Sequence, residues 1–208
     1  MGGAHVFPGG RVDDADYIDR ADEGWCDGID HAVRQLLQIE PRLALAHHVA
    51  AVREVFEEAG VLLARDRSGR PGGIESGTRA RLAAQRRQAD ARAFRGIVEG
   101  EGLRLALDSL VACAHWVTPA RLARRFDTLF FATRMPPGQI ASHDEGETVE
   151  GLWVSPRHAV EEAAPGGNHG LVLPLPTRIV LSEIRQFETV DALLAWYPGR
   201  ALERREPL

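Results

Sequence analysis

The clearest periodic segment of the chain runs from Ala44 to Ala59. Val49, Val52, Phe56 and Ala59 recur at i, i+3, i+7 and i+10, one apolar stripe that predicts an amphipathic helix. Gly60 follows as its C-cap. Upstream, Ile29, Val33, Leu36 and Leu37 fall near helical spacing, so residues 28–40 predict a helix that Pro41 interrupts. AHVF (4–7) predicts a short strand before the turn Pro8-Gly9-Gly10, and VLLA (61–64) predicts another. Residues 65–77 read as a loop. Residues 78–99 and 103–115 read as helices, the second ending near Trp116 and Pro119. The pattern then turns to β. FDTLFFATRM (126–135) and VEGLWVS (149–155) predict strands, with Phe126 and Trp153 expected in the core. Loops are expected at 136–147 and 164–170, and helices at 157–163, 177–187 and 189–196. Helices interspersed with strands, without repeat or linker, imply an α+β or mixed α/β fold.

Composition narrows the picture. A length of 208 residues suits one domain with room for a sizeable core. The formal charge of −5 argues against a generally basic nucleic-acid binder. Lys is absent, so all 25 basic residues are Arg. Any phosphate held by a side-chain cation is therefore held by Arg, whose planar fork suits it. Cys26 and Cys113 match neither a disulfide framework nor a zinc spacing and read as free thiols of a reducing compartment. No apolar run approaches the roughly 18–20 residues that span a membrane, and the N-terminus does not resemble a signal peptide. The expected location is the cytoplasm.

Chemistry concentrates on the acidic side of the 44–59 helix. At about 100° per residue, with Val49 at zero, the apolar stripe lies near about 280–360° and Glu54, Glu57 and Glu58 near about 80–180°. Three carboxylates thus share one helix face, where like charges repel. A hard divalent cation such as Mg²⁺ or Mn²⁺ removes that repulsion; a solvated acidic face is the other reading of the same spacing. His47 falls on the carboxylate side, upstream, and His48 toward the apolar face, where it is expected to pack. The Arg-rich run 79–95, Arg86 included, reads as a solvated helix face.

With Phe7-Pro8-Gly9-Gly10, this segment resembles the Nudix box, G-x5-E-x7-R-E-U-x-E-E-x-G-U, where U is a bulky aliphatic residue. Gly10 takes the leading Gly, and Arg53 to Val61 match the whole second half. The first acid falls on Asp16, and the seven-residue spacer becomes 36 residues (17–52), through an insertion placed at 17–45. A box split in this way is similar to the Nudix branch that contains the peroxisomal coenzyme A diphosphatase. The segments Gly3 to Gly10, Ala51 to Leu63, Trp116 to Pro119, Arg124 to Thr128 and Phe130-Phe131 carry that resemblance. It implies a single Nudix-like domain over 1–208, an α/β/α sandwich with a mixed sheet, a helical segment at 78–116 and C-terminal helices.

The resemblance also implies roles. Glu54, Glu57 and Glu58 would bind Mg²⁺ or Mn²⁺, with the Gly9 carbonyl as a further ligand. Arg53 would orient these carboxylates, and Asp16 would stand as helper acid. Glu147 would complete the site or act as base, with Glu145 and Glu150 as rivals. Arg124 and Arg125 would hold the 3′-phosphate of a coenzyme A-like substrate. The partner is then a small nucleoside diphosphate derivative, most simply coenzyme A or acyl-coenzyme A, with ADP-ribose or a dinucleotide as substrate alternatives. Nudix domains normally carry one or two strands before the Gly-Gly turn, where this chain has six residues before Phe7. On that resemblance the N-terminal strands are missing, which would bare a sheet edge and favour aggregation or pairing with a second copy as a homodimer. A nucleotide-binding or inactive truncated Nudix-fold protein is the competing reading. The intact pairs Arg53-Glu54 and Glu57-Glu58 favour the enzyme.

Overall fold

A computed structural model describes residues 3–18, 24–70, 76–86, 90–123, 125–142, 151–164 and 170–206, the side chains of Ser76 and Arg79 excepted. The chain divides into two compact units. One comprises Pro8–Leu110 and Thr133–Gly151; the other comprises Met1–Phe7, Val111–Ala132 and Leu152–Leu208. The first holds the acidic helix and is called the box unit, the second the terminal unit.

The box unit opens with a 3₁₀ turn, Asp14–Asp16, capped by the Asp13 side chain. Then come β1 (Cys26–Asp27), α1 (Ile29–Gln35) and α2 (Pro41–Ala59). β2 (Ala64–Arg65), α3 (Ser76–Arg86), α4 (Ala91–Gly100), β3 (Arg104–Ala106) and a 3₁₀ turn at Leu107–Ser109 complete it. β3 is the central strand, parallel to β1 and antiparallel to β2, with Leu105 opposite both Cys26 and Ala64. Phe94 joins the core to α2. Its ring lies 5.8 Å from Phe56 and 6.5 Å from Trp25.

Pro41 starts the long helix rather than interrupting one. Its missing N–H costs nothing in the first turn, and the Glu40 carboxylate accepts the Arg42 and Leu43 N–H groups at 3.0 and 2.9 Å. α1 accordingly ends at Gln35, short of the expected residue 40. The expected strand at 61–64 shrinks to Ala64–Arg65, because a side chain takes over the Leu62 backbone. The Gln139 amide accepts the Leu62 N–H and donates to the Leu62 carbonyl, both at 2.8 Å.

The terminal unit contains β4 (Val111–Val117), β5 (Asp127–Ala132), α5 (Pro156–Glu162), α6 (Leu175–Ile184), α7 (Val190–Trp196) and β6 (Arg204–Arg205). β4 is central, antiparallel to β5 and parallel to β6. Ala112 faces Phe131 and Ala114 faces Phe130, so Cys113 is the extra residue of a bulge. Its thiol donates to the Phe130 carbonyl at 3.2 Å, and burial, aided by the Glu183 charge, pushes it up to about 12. Val180 of α6 packs with Ala114 and Trp116 of β4.

Several expectations are corrected here. Residues 103–115 form β3, a turn and most of β4, not a helix. Every residue of β4 is buried, and a strand buried on both faces loses the alternation that would distinguish it from a helix. AHVF contributes one bridge, Ala4 to Val172, instead of a strand. Residues 151–155 form no strand. Trp153 is 76% exposed and Phe126 53%, so neither is core. Residues 149 and 150 lie outside the described residues, as do 87–89 between α3 and α4. The helices expected at 157–163, 177–187 and 189–196 are present within a few residues. Among the described residues, no helix is long and apolar enough to cross a membrane.

His48 packs as its wheel position implies. Its Nδ1–H donates to the Ala44 carbonyl at 2.8 Å, and Nε2 accepts from Gln35 Nε2 at 3.3 Å. A carbonyl can only accept, so the ring is the neutral Nδ1–H tautomer. The Gln35 amide also donates to the Leu110 carbonyl at 2.8 Å. Burial lowers the His48 pKa from 6.5 to about 4. Between those values the unfolded chain binds a proton that the folded protein refuses, so stability falls as pH drops through that window. The loss amounts to about 2 kcal/mol at pH 5. Urea unfolding at pH 7.5 and pH 5 should show a wild-type loss larger than that of His48→Gln by this amount. Equal losses would clear His48 of the effect.

Candidate functional site

Arg53 organises the acidic helix. It points inward and is 4% exposed, and Asp16 is 1% exposed. Arg53 Nε and Nη2 donate to Asp16 Oδ1 and Oδ2, each at 2.8 Å, as a bidentate pair. Nη2 also donates to the Arg11 carbonyl at 2.9 Å. Nη1 donates to Glu54 Oε1 at 2.8 Å and Glu57 Oε2 at 2.9 Å. All the N–H donors of the guanidinium are thereby used. Burial disfavours its charge, but the bonds and charges of Asp16 and Glu54 outweigh that and raise its pKa.

The glycine turn closes over the same face. The Gly9 N–H donates to Glu58 Oε2 at 3.1 Å. A Cβ on Gly10 would lie 2.3 Å from Glu54 Oε1, so any other residue there would push that carboxylate aside. Burial pushes the Glu57 carboxyl up; Arg53 pulls it back only in part, and the charges of Glu54 and Asp16 add to the rise.

The oxygens decide whether a divalent cation fits. Glu57 Oε1 is buried without a hydrogen-bond partner, an unmet acceptor that a cation would satisfy. The donors are hard carboxylate oxygens, suited to Mg²⁺ or Mn²⁺. Among the described residues no three His, Cys, Asp or Glu side chains already surround one point. The helix thus offers part of an oxygen set, of the kind Mg²⁺ completes with water and substrate phosphate.

The C-terminal end of α2 is also fully engaged. Gly60 turns left-handed at φ +66°, and its N–H meets the Phe56 carbonyl at 3.0 Å. Arg86 of α3 donates to the Glu57 and Glu58 carbonyls at 2.9 and 2.6 Å. The Ser142 N–H takes the Ala59 carbonyl at 2.9 Å.

Residues 39–166, more than half of the chain, match the family described as the NUDT19 Nudix domain. This chain belongs to the Nudix family. It is 33% identical over 173 residues to the acyl-coenzyme A diphosphatase NUDT19 of Homo sapiens, covering 78% of this chain and 45% of that protein. The protein of the same name from Gallus gallus is 28% identical over 258 residues, covering 98% and 62%. A crystal structure of a NUDIX hydrolase from Alicyclobacillus acidocaldarius matches with a TM-score of 0.65 at 25% identity, over 93% of this chain and 81% of that one. The chain spans about half to three fifths of the length of these curated relatives. The α+β class, with mixed sheets and helices, agrees with that of the Nudix neighbour.

Of the residues expected at the site, the structure brings together Gly9, just before the Nudix box, and Gly10, Asp16, Arg53, Glu54, Glu57 and Glu58 within it. Asp16 faces Arg53 with both oxygens, and Gly9 meets Glu58 through its N–H. Glu145, Glu147, Glu150 and Arg124 lie outside the described residues. Arg125 is exposed in the terminal unit, and its Nε donates to the Thr118 carbonyl at 3.3 Å. Sequence reasoning missed Ser142, Gln139 and the task of Arg86. Backbone contacts of this kind have no motif, and Arg86 sits in a run that reads as solvated surface.

The Nudix helix depends on the buried pair. Arg53→Met leaves Asp16 as an uncompensated buried carboxylate and should cost about 3–5 kcal/mol in urea unfolding. Adding Asp16→Asn should recover part of that loss. Strictly additive losses would show that the two residues do not share one buried interaction.

Proposed function

We propose that this chain is a metal-dependent Nudix hydrolase that cleaves the diphosphate linkage of a nucleoside diphosphate derivative, coenzyme A or acyl-coenzyme A foremost. One observation carries the reading: Arg53 holds Glu54 and Glu57 beside Glu58 on one face, with Glu57 Oε1 left unpartnered. The names of the curated relatives support the substrate class.

When bound, Mg²⁺ or Mn²⁺ supplies positive charge to the diphosphate oxygens and raises the acidity of water. Glu54, Glu57 and Glu58 offer the oxygens that hold the cation. Arg53 fixes the directions of Glu54 and Glu57, and Asp16 anchors Arg53 instead of acting as a ligand. The Gly9 N–H steers Glu58. Water attacks one phosphorus in line, the bridging P–O bond breaks, and the leaving group departs as a phosphate ester. The proton of the attacking water passes to a carboxylate, for which Glu147 is proposed, with Glu145 and Glu150 as rivals. Arg124 and Arg125 are proposed to hold the 3′-phosphate, a task that falls to Arg in a chain without Lys.

The test is hydrolysis of coenzyme A, ADP-ribose and dinucleotides with Mg²⁺ or Mn²⁺, with products resolved by chromatography. The expected products from coenzyme A are 3′,5′-ADP and 4′-phosphopantetheine. Glu57→Gln should lower the rate by more than the about 10- to 100-fold typical of residues behind a metal ligand. Cleavage of another substrate alone would keep the hydrolase and replace its substrate. A folded protein with no turnover on any of them would favour nucleotide binding without hydrolysis.

A further inference from the structure

The last four carbonyls of a helix have no partner within it. In α2 these belong to Phe56, Glu57, Glu58 and Ala59, and each is met. Gly60 takes Phe56, Ser142 takes Ala59, and Arg86 takes Glu57 and Glu58. The same guanidinium donates through Nη1 to Ser142 Oγ and through Nη2 to the Ser142 carbonyl, both at 2.9 Å. Arg86 thus ties three segments of the box unit, α2, α3 and the Ser142 loop, at one point. Its charge also sits at the negative end of the helix dipole.

We propose that Arg86 is a positioning residue of the Nudix site: it holds the backbone of the Glu57–Glu58 turn and so aims the two carboxylates. The inference rests on the function proposed above. Its basis is that the two clamped carbonyls belong to the residues whose side chains face the glycine turn and Arg53. A shift of this turn relative to Arg53 would move Glu57 and Glu58 away from Glu54. Gly60 also leaves room for the clamp, since a Cβ there would lie 2.8 Å from Arg86 Nη1. A lysine could replace it only in part, because one ammonium cannot span two carbonyls and Ser142 as the planar fork does. Arg81, on the same helix, provides a contrast: it pairs with Glu101 at 2.6 Å.

Mn²⁺ binding to the full chain, measured by electron paramagnetic resonance, tests this beside kcat, KM and Tm. Arg86→Gln should weaken Mn²⁺ binding about 10-fold and lower kcat about 10- to 100-fold, with KM nearly unchanged. Arg86→Lys should restore part of both, and Arg81→Gln should match the wild type. A folded Arg86→Gln with wild-type Mn²⁺ affinity and kcat, even at a lower Tm, overturns the inference in favour of a purely structural cap. A raised KM at unchanged kcat overturns it in favour of a substrate contact. If Arg86→Gln does not fold, Arg86→Lys is measured instead, and wild-type affinity and kcat in that variant overturn it. Mn²⁺ binding lost in Glu57→Gln but kept in Arg86→Gln defeats this inference alone. A wild-type chain that binds no Mn²⁺, or a Glu57→Gln variant that binds it unchanged, defeats the functional reading and this inference with it.

Discussion

A guanidinium taken out of water must find an acceptor for every N–H, and Arg53 does. Asp16 contributes both its oxygens, Arg11 its carbonyl, and Glu54 and Glu57 one oxygen each. The consequences reach well beyond α2. The 3₁₀ turn at 14–16 is held in place because Asp16 must meet Arg53, and Asp16 also accepts the Asp13 N–H at 2.8 Å. The glycine turn just upstream is thereby brought over the acidic face. One buried charge fixes helix, turn and carboxylates relative to one another across the long interruption between Asp16 and Arg53.

Magnitudes rank the interactions on this helix. Like charges at i+3 and i+4 destabilise a helix by about 0.2–0.5 kcal/mol per pair. Breaking a buried charged pair costs about 3–5 kcal/mol. Losing Arg53 would therefore disturb the helix far more than the crowding of Glu54, Glu57 and Glu58 does. The two arginines of the site divide the labour. Arg53 bonds the carboxylates from the buried side of α2, and the half-buried Arg86, in the same unit, meets the backbone of the final turn.

Much of this was legible in the sequence, for reasons tied to particular residues. The stripe Val49, Val52, Phe56 and Ala59 has one buried face, so its period survives folding, and Gly60 marks its end. The Arg53–Val61 motif carries fixed spacing, so the acidic face of α2 could be singled out as a candidate site before any geometry was known. Periodicity failed where both faces are buried: β4, VACAHWV, has no exposed side to mark its strand. Local reading also failed where a distant partner decides the outcome. Asp16 has no local apolar pattern to mark it as buried, yet it is buried because Arg53 lies 37 positions downstream. Arg86 reads as surface because its acceptors are backbone carbonyls 28 and 29 positions away, which no residue type announces.

The Gln139 amide on Leu62 has a consequence for the edge of the box unit's sheet. Leu63 turns its carbonyl to the Ala106 N–H of β3, so the polar groups of Leu62 point to the other side, past the end of the sheet. The Leu62 carbonyl also accepts the Ala64 N–H at 3.1 Å, while the Leu62 N–H depends on Gln139. A side-chain amide carries the same donor and acceptor as a peptide bond, and here it fills both places. One glutamine side chain thus occupies, within the chain, the pair of hydrogen-bonding positions that a neighbouring strand would take.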